Sequence, residues 1–517
     1  MKLRYHLNEY WPDLAWLADC RQGADIVDIF HGAGVETTDD WFCEAVWDDP
    51  FDDGHFDRTD LVFGSGCRIR DQYIEFVSSG STVDRLQALT SGDRVRVSNS
   101  LVCLMSDSGA EFKSTDFDYF GWFGSVTAGL DGYNRTLATT EGDVSVVYYN
   151  NFRWDGQVLV ESPKPTIVRD FGSYESYCGF LVHSFQRIAA NMQADTRHRK
   201  YQWMGTLSSG YDTSTVSTIA RSAGLKEAIT FTTGRGGGDD SGEKTAQSLG
   251  LKSILLDRNG WRSLPFPEVP FLVGDSKGEE VYFSSAVDLL KNRVLLTGVA
   301  GSLVWDKEWE ETSTKLARSD RSGLSLTEFR LSGAFLHLPA PYMGAHQADD
   351  IRRLSNLDEM APWDISGDYN RPLCRRIVEE AGVPRSHFGV KKRAASVLFD
   401  QHHQAEGLST GSYEDCVRVS QGGWRSAVMR GEIPLKQRFK IGKLARKVRR
   451  RLRSGQWKIR KVQNCARAWL GLAAAPPSGN GWFDRWLSRL VTRGSIHYYA
   501  FPWAFNKARE RYRRPAN

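Results

Sequence analysis

The chain has 517 residues, of which 41% are hydrophobic and 25% are charged. One hydrophobic core stops growing at roughly 250 to 300 residues, so we expect at least two domains. The mean hydropathy is -0.43, and no apolar stretch approaches the roughly 18 residues of a transmembrane helix. Both observations argue against an integral membrane protein.

Glu9, Asp13 and Asp19 interrupt the N-terminal segment, where a secretory signal needs an apolar run without charges. Eight cysteines are spread along the chain without a CxxC pair, which disfavours a zinc site or a redox motif. We therefore expect a cytoplasmic protein with reduced, structural thiols. The cysteines are Cys20, Cys43, Cys67, Cys103, Cys178, Cys374, Cys416 and Cys465.

Charge is distributed unevenly along the chain, whose formal net charge is +4. Residues 1–65 hold fifteen acidic and four basic side chains, whereas residues 433–517 hold twenty-two basic and two acidic ones. Residues 1–432 therefore carry a formal charge of -16. The basic C-terminal segment needs its own explanation.

Up to about residue 195, the sequence favours short strands and turns. Residues 94–105 (RVRVSNSLVCLM) and 143–153 (DVSVVYYNNFR) are rich in β-branched and aromatic side chains. Apolar residues at helical spacing between 166 and 199 indicate a connecting helix. We predict a mostly β or α+β N-terminal domain over residues 1–195.

From Tyr201 onward, predicted strands and helices alternate, which indicates an α/β domain with a parallel sheet over residues 196–433. The chain becomes mainly helical after Pro339, and Pro434 opens a basic tail over residues 434–517. The predicted elements are a strand ending at Leu207, a helix up to Ala223, a strand over 228–232, a helix over 242–249, a strand over 253–256, a helix over 284–290 and a strand over 293–297.

The loop after the first of these strands lies in residues 206–220 (TLSSGYDTSTVSTIA). Small hydroxyl and glycine residues between a strand and a helix direct backbone N–H groups at one point, which suits a phosphate group. A carboxylate beside a polyphosphate needs a divalent cation between them, so we assign a magnesium ion to Asp212. The alternative is that these residues only cap a helix. Gly210 allows close approach of the ligand, and the hydroxyl donors are Ser208, Ser209, Thr213 and Ser214.

The loop resembles the SGGxDS pyrophosphate-binding motif of PP-loop ATP pyrophosphatases, and GYDTSTVSTIARSAGL is similar to the same stretch of asparagine synthetase-like proteins. Ser209 stands where that family usually has glycine, and Thr213 where it usually has serine. The resemblance covers residues 200–400. It implies a PP-loop α/β core, ATP and Mg²⁺ as cofactors, and cleavage of ATP between its α- and β-phosphates.

The resemblance continues beyond the loop. Thr232 lies where the family's adenine-binding strand ends, and residues 239–251 (DDSGEKTAQSLGL) are similar to the acidic start of its next helix. Asp240 and Glu243 are therefore expected near the nucleotide. The alternative is an ordinary acidic helix N-terminus, which the helix dipole favours.

The family's next landmark is a strand and a glycine turn with an acidic residue that completes the magnesium site. Here residues 294–306 read VLLTGVAGSLVWD, and Ser302 occupies the position of the expected aspartate. Three outcomes are open. Asp306 or Glu308 replaces the missing ligand, magnesium is held less tightly, or the core has lost turnover.

Residues 369–392 (YNRPLCRRIVEEAGVPRSHFGVKK) resemble the region in which a lysine of asparagine and β-lactam synthetases stabilises charge during acyl transfer. The resemblance gives Lys391 or Lys392 this catalytic role, for which an ammonium held against an adenylate is suited. Without the neighbouring motif, a lysine pair would be interpreted as a solvated surface feature.

Complete asparagine synthetases begin, after removal of Met, with a catalytic cysteine that hydrolyses glutamine. Lys2 follows Met1 in this chain, and Cys20 is its first thiol. The segment VSNSLVCLM, residues 97–105, is loosely similar to a strand pattern of that glutaminase domain. We expect a degenerate relative that does not release ammonia from glutamine.

Residues 433–483 contain fourteen Lys or Arg side chains and no acidic one. Apolar residues recur at helical spacing between these charges, which predicts one or two basic amphipathic helices. The partner could be the acidic remainder of the protein, an anionic membrane surface that Trp457 and Trp469 would enter, or, less favoured, nucleic acid. A membrane partner would place the protein at the inner face of the membrane.

Together these features favour an asparagine synthase-like ligase. It would adenylate a substrate carboxylate, release pyrophosphate and form an amide with ammonia or an amine, which avoids expulsion of oxide from the carboxylate. The carboxylate would belong to a small molecule or, if the tail binds membranes, to a glycan. The alternatives are a PP-loop enzyme that modifies RNA and a non-catalytic nucleotide-binding protein, which Ser302 suggests.

Overall fold

A computed structural model of the protein describes residues 1–113, 118–308, 315–365, 369–389, 393–399, 407–422 and 496–512. Two β-sheets form the N-terminal part, and a third sheet with surrounding helices follows. This mixed α/β architecture with a β-rich N-terminal part agrees with the sequence prediction. Within the described ranges, no helix has the length and apolar character needed to cross a membrane.

The first sheet has seven strands. They are β1 (Lys2–Leu7), β2 (Trp16–Arg21), β3 (Ile26–His31), β8 (Arg85–Ser91), β9 (Arg94–Ser98), β10 (Thr136–Thr139) and β11 (Gly142–Tyr148). Their spatial order is β1-β3-β2-β9-β8-β11-β10. The β1 and β3 strands run parallel, and all other neighbours in this sheet are antiparallel.

The second sheet has six strands, all paired in antiparallel fashion. They are β4 (Glu36–Thr37), β5 (Trp41–Trp47), β6 (Val62–Ile69), β7 (Ile74–Val77), β12 (Asn151–Trp154) and β13 (Leu159–Ser162). Their order is β13-β12-β7-β6-β5-β4. The two sheets pack face to face, since the ring of Trp16 in β2 lies 5.0 Å from Phe42 and 6.2 Å from Phe76, centroid to centroid.

Of the two segments of this part that we predict as short strands and turns, residues 94–105 are wrong in part. The strand expected over residues 94–105 ends at Ser98, and helix α1 (Leu101–Ser108) follows, with the Ser100 hydroxyl accepting the Cys103 N–H at 3.0 Å as its N-cap. Residues 143–153 form the predicted short strands, β11 and β12, which belong to two different sheets. Between these strands, Tyr149 has a left-handed backbone with φ of 66°.

The third sheet contains β14 (Gln202–Leu207), β15 (Glu227–Phe231), β16 (Lys252–Leu256), β17 (Arg293–Thr297) and β18 (Leu336–Pro339). All its neighbouring strands are parallel, in the order β16-β15-β14-β17-β18. The predicted parallel sheet is therefore confirmed. Its near-continuous apolar strands, such as VLLT in β17, are typical of parallel strands covered on both faces.

The described α-helices that follow α1, up to residue 380, pack against these sheets or against one another. They are α2 (Tyr119–Gly124), α3 (Tyr174–Met192), α4 (Tyr211–Arg221), α5 (Glu243–Leu249), α6 (Val269–Asp275), α7 (Val287–Leu290), α8 (Gly301–Trp305), α9 (Leu326–Gly333), α10 (Ala348–Leu354) and α11 (Pro372–Glu380). The connecting helix predicted between 166 and 199 is α3, which packs against β5 and α4. The helix predicted over 284–290 is instead the 3-10 helix Val281–Ala286 followed by α7.

Two further helices come late in the chain, α12 (Thr410–Gly422) and α13 (Ile496–Arg509). The α13 helix packs against α1, α2 and α6, and its Phe501, Trp503 and Phe505 side chains are buried. The predicted tail therefore contains a helix that belongs to the core. Residues 433–483, with Trp457 and Trp469, lie outside the described residues.

Candidate functional site

The strand order of the parallel sheet reverses at β14. The β15 and β16 strands lie on one side of β14, and β17 and β18 lie on the other. In such sheets a crevice opens at the carboxyl ends of the strands where the order reverses, and ligands bind there. The predicted phosphate loop follows β14 and the predicted glycine turn follows β17, so both lie at this crevice.

The glycine turn packs directly on Asp212. A Cβ atom added to Gly298 would lie 2.3 Å from Asp212 Cβ, and one added to Gly301 would lie 2.4 Å from Asp212 Cγ. Both distances are too short for real Cβ contacts. At Gly298 the near atoms include backbone atoms of α4, so this position requires glycine, whereas at Gly301 they are carboxyl atoms of Asp212, which a larger residue would displace. Ala300 between them has a left-handed backbone with φ of 67°.

The backbone N–H groups of the loop donate to oxygens within the protein. Ser208 N–H donates to Thr213 Oγ1 and Gly210 N–H to Ser208 Oγ, both at 3.1 Å. Tyr211 N–H donates to Tyr369 Oη at 3.2 Å. A polyphosphate would replace these neutral acceptors with charged oxygens, which are stronger acceptors.

Ser209 connects the loop to Asp240. Its hydroxyl donates to Asp240 Oδ1 at 2.6 Å, and its N–H donates to Asp240 O at 3.1 Å. Burial raises the pKa of the Asp240 carboxyl, while the hydrogen bonds from Ser209 oppose this rise. Asp240 therefore contacts the loop. Glu243 instead accepts a hydrogen bond from the Ser241 hydroxyl at 3.1 Å, next to the start of α5.

Ser214 and Thr232 occupy different parts of the crevice. The Ser214 side chain is buried and donates to Gly210 O at 2.8 Å, so it supports the turn of the loop from within the protein. Thr232 follows β15 directly, and its carbonyl accepts the Asp240 N–H at 3.5 Å. The structure thus brings Thr232, Asp240 and Ser209 together.

Arg371, which sequence reasoning missed, lies next to Asp212. Its side chain is 2% exposed, and its Nη1 donates to Asp212 Oδ1 while its Nε donates to Asp306 Oδ1 at 2.6 Å. Burial lowers the pKa of Arg371, but an arginine remains protonated in proteins. One turn further, the Arg375 guanidinium donates to the Tyr211 hydroxyl.

Among the residues that the structure describes, the side chains around Asp212 do not fit a magnesium ion. Magnesium requires a near-octahedral set of oxygen ligands, whereas the Asp212 and Asp306 carboxylates both bind the Arg371 guanidinium. The Ser302 hydroxyl lies 3.3 Å from that of Ser319, and Glu308 is exposed. A guanidinium in contact with Asp212 would repel a dication there.

Three side chains of the types that ligate metals lie close together elsewhere in the described residues. Asp49, Asp53 and His55 place one ligand atom each within 4.8 Å of the others. Asp49 is also paired with Arg187 at 2.6 Å. This group lies in the N-terminal part, after β5.

The predicted catalytic residues Lys391 and Lys392 lie outside the described residues. The nearest described residues on either side, Gly389 and Arg393, contact the candidate site. Gly389 N–H donates to Ser209 O at 2.8 Å, and the Arg393 guanidinium donates to Asp239 O. The described chain therefore reaches the crevice both before and after the lysine pair.

The seven cysteines of the described ranges are free thiols, and six of them are buried. Burial raises the pKa of the Cys20 thiol. A reactive cysteine needs a lowered pKa and access to solvent. Cys20 therefore has the properties of a structural residue.

Comparison with known proteins identifies no family for this chain. No protein-family model matches the chain, and no curated protein matches it. The loop sequence and the geometry of the crevice are therefore the features of this chain that indicate a function.

Proposed function

We propose that the chain binds ATP in the crevice between β14 and β17 and adenylates a substrate carboxylate, as an asparagine synthase-like ligase with a PP-loop core. One observation carries this proposal. The hydroxyl-rich loop after β14 and the glycine turn after β17 meet where the strand order reverses, which is where a parallel sheet binds nucleotides.

The proposed reaction has two steps. A carboxylate oxygen attacks the α-phosphorus, the bond to the α–β bridging oxygen breaks, and pyrophosphate leaves. An amine or ammonia then attacks the acyl carbon, AMP leaves with the former carboxylate oxygen, and the nitrogen loses a proton. Dividing the reaction in this way replaces oxide by AMP as the leaving group.

Several side chains have roles in this proposal. The hydroxyls of Ser208 and Thr213, which lie 2.9 Å apart, would donate to the pyrophosphate together with the Gly210 N–H group. Preorganised donors of this kind stabilise charge that develops on a leaving group. Lys391 or Lys392 would stabilise the acyl-transfer step, as the family resemblance implies.

The test is the product of ATP turnover with a panel of small-molecule and glycan carboxylates. AMP and pyrophosphate, together with carboxylate-dependent exchange between pyrophosphate and ATP, are the expected result. Thr213→Val should reduce this exchange. Thr218→Val, on the same helix, is the matched control because the Thr218 hydroxyl has no hydrogen-bond partner among the described residues. ADP and phosphate as the only products would contradict the proposal.

A second candidate is a nucleotide-binding protein without turnover. Two observations favour it, namely Ser302 in place of the expected aspartate and the pairing of Asp212 with Arg371. A fluorescent ATP analogue that binds the wild-type chain, but not a loop variant, would support both candidates. Absence of AMP formation with every carboxylate tested would then favour this second one.

A further inference from the structure

Asp212, Arg371 and Asp306 form a three-residue charge cluster at the crevice. The guanidinium binds both carboxylates through different nitrogens, Nη1 and Nε. It is nearly inaccessible to solvent, whereas the Asp212 and Asp306 side chains are 28% and 40% exposed. The cation of the cluster is therefore enclosed, and its two anions border the crevice.

The surrounding chain fixes Arg371 in this place. Pro372 begins α11 immediately after it, and Tyr369, two residues before it, accepts the Tyr211 N–H. Arg375 holds the Tyr211 side chain from the same helix. The start of α11 and the start of α4 are thus joined on both sides of the Asp212–Arg371 pair.

The charge cluster bears on the repulsion between the Asp212 carboxylate and a polyphosphate bound at the loop. A carboxylate next to a polyphosphate is repulsive unless a positive charge lies between or beside them. At Asp212 the guanidinium of Arg371 supplies that positive charge. A guanidinium also matches carboxylate and phosphate oxygens with several donors in one plane.

We infer that Arg371 is the fixed cation of this site, in the position beside Asp212 where a PP-loop enzyme would hold a divalent metal. The Asp212 carboxylate then ligates no metal, and the polyphosphate of a nucleotide binds at the loop without a metal ion at Asp212. This inference rests on the proposed function, because it concerns the same nucleotide.

The experiment measures ATP binding by calorimetry in EDTA and in excess Mg²⁺. The wild-type affinity is expected to agree within about threefold between the two conditions. In parallel, electron paramagnetic resonance measures Mn²⁺ bound in the presence of ATP. The amount bound to the wild-type chain and to Asp212→Asn should be the same.

The variant Arg371→Gln tests whether ATP binding in the absence of metal depends on the guanidinium. The variant leaves Asp212 without its cation, so ATP binding in EDTA should weaken by about tenfold to a hundredfold. Added Mg²⁺ or Mn²⁺ should restore part of the affinity through Asp212, and Arg371→Gln/Asp212→Asn should lose that metal dependence. Arg353→Gln is the control, since it breaks an exposed pair with Asp350 on α10 and should change nothing.

Each result decides between the alternatives. If wild-type ATP binding needs a divalent ion and Asp212→Asn loses bound Mn²⁺, the inference is wrong while the proposed function stands. If ATP binds in neither condition, both are wrong. Should circular dichroism show that Arg371→Gln is unfolded, the first two measurements still decide, because they keep Arg371.

Discussion

The hydroxyl of Tyr512 donates a hydrogen bond to the buried carboxylate of Glu328 in α9. The same carboxylate accepts from the Ser100 hydroxyl at 2.8 and 3.0 Å, and Ser100 caps α1 of the N-terminal part. The Tyr512 ring also lies 5.9 Å from that of Trp11. One carboxylate therefore connects the β-rich part, the α/β part and the last described segment of the chain.

We expect Tyr512→Phe to lower the free energy of unfolding by about 1.5 to 3 kcal/mol, because a buried carboxylate loses one of its donors. Urea denaturation followed by circular dichroism measures the change. Tyr10→Phe is the control, since Tyr10 is 75% exposed. Equal stability of the two variants would show that the Tyr512–Glu328 hydrogen bond contributes nothing.

The strands of the α/β part were predictable because their signal is local. The strand predicted over 293–297 coincides with β17, and that predicted over 228–232 is displaced by one residue from β15. Buried parallel strands form short apolar runs between glycine- and serine-rich loops. For residues 101–105 the same local signal gave a wrong prediction of strand, since these residues begin helix α1. A short apolar run does not distinguish a strand from a buried helix.

Of the candidate site, the sequence indicates only the loop. Ser208, Ser209, Gly210 and Thr213 follow one another in sequence, and their spacing carries the phosphate-binding signal. Arg371 is 159 positions away from Asp212, and the sequence around it has no pattern that marks a partner for a carboxylate. Tertiary packing of α11 on α4 creates this contact.

Glu280 should make stability depend on pH. Burial, with the nearby carboxylates of Asp275 and Glu279, raises the pKa of Glu280 from 4.5 to about 8. Its oxygens accept the Gly323 N–H at 2.8 Å and the Ser325 hydroxyl. Because the pKa is raised in the folded state, the stability that protonation contributes is complete below pH 4.5 and is lost as the pH rises to about 8.

Glu280→Gln keeps the shape of the side chain without its ionisation. As the pH rises from 4.5 to 8, the free energy of unfolding of the variant should increase by a few kcal/mol relative to that of wild type. One pKa unit corresponds to about 1.4 kcal/mol. Chemical denaturation over this pH range measures the difference. Glu141→Gln, at an exposed position, is the control, and a pH-independent difference for Glu280→Gln would contradict the assignment.

An anionic membrane surface, one of the three partners that the sequence leaves open for the tail, can be tested without removing α13, which packs in the core. Lys440→Glu, Lys443→Glu and Lys447→Glu reverse three charges within residues 433–483. Each basic residue near an anionic surface contributes about 1 kcal/mol, so the triple variant should bind anionic vesicles at least roughly a hundredfold more weakly. Vesicle sedimentation measures this binding.

The dependence of vesicle binding on salt distinguishes electrostatic attraction from insertion of tryptophan side chains. The Debye length falls from about 10 Å at 0.1 M to about 3 Å at 1 M salt, so electrostatic attraction should weaken and insertion of Trp457 and Trp469 should leave a salt-resistant remainder. A matched triple reversal at the exposed residues Lys226, Lys244 and Lys291 should bind as wild type does. An equal loss of vesicle binding in both triple variants would show that the basic residues of the tail have no specific role in this binding.

A pair of glycine substitutions tests the contact between the two loops of the crevice. Gly301→Ala would place its new methyl group 2.4 Å from Asp212 Cγ, so the turn and the Asp212–Arg371 pair must move apart, at a cost of about 1 to 3 kcal/mol. Gly179→Ala, in α3, meets no atom within 4 Å and should be neutral or stabilising by about 0.4 to 1 kcal/mol. Calorimetry should therefore show weaker ATP binding for Gly301→Ala alone. If both variants bind ATP as wild type does, the contact between the β17 turn and Asp212 does not shape the nucleotide site.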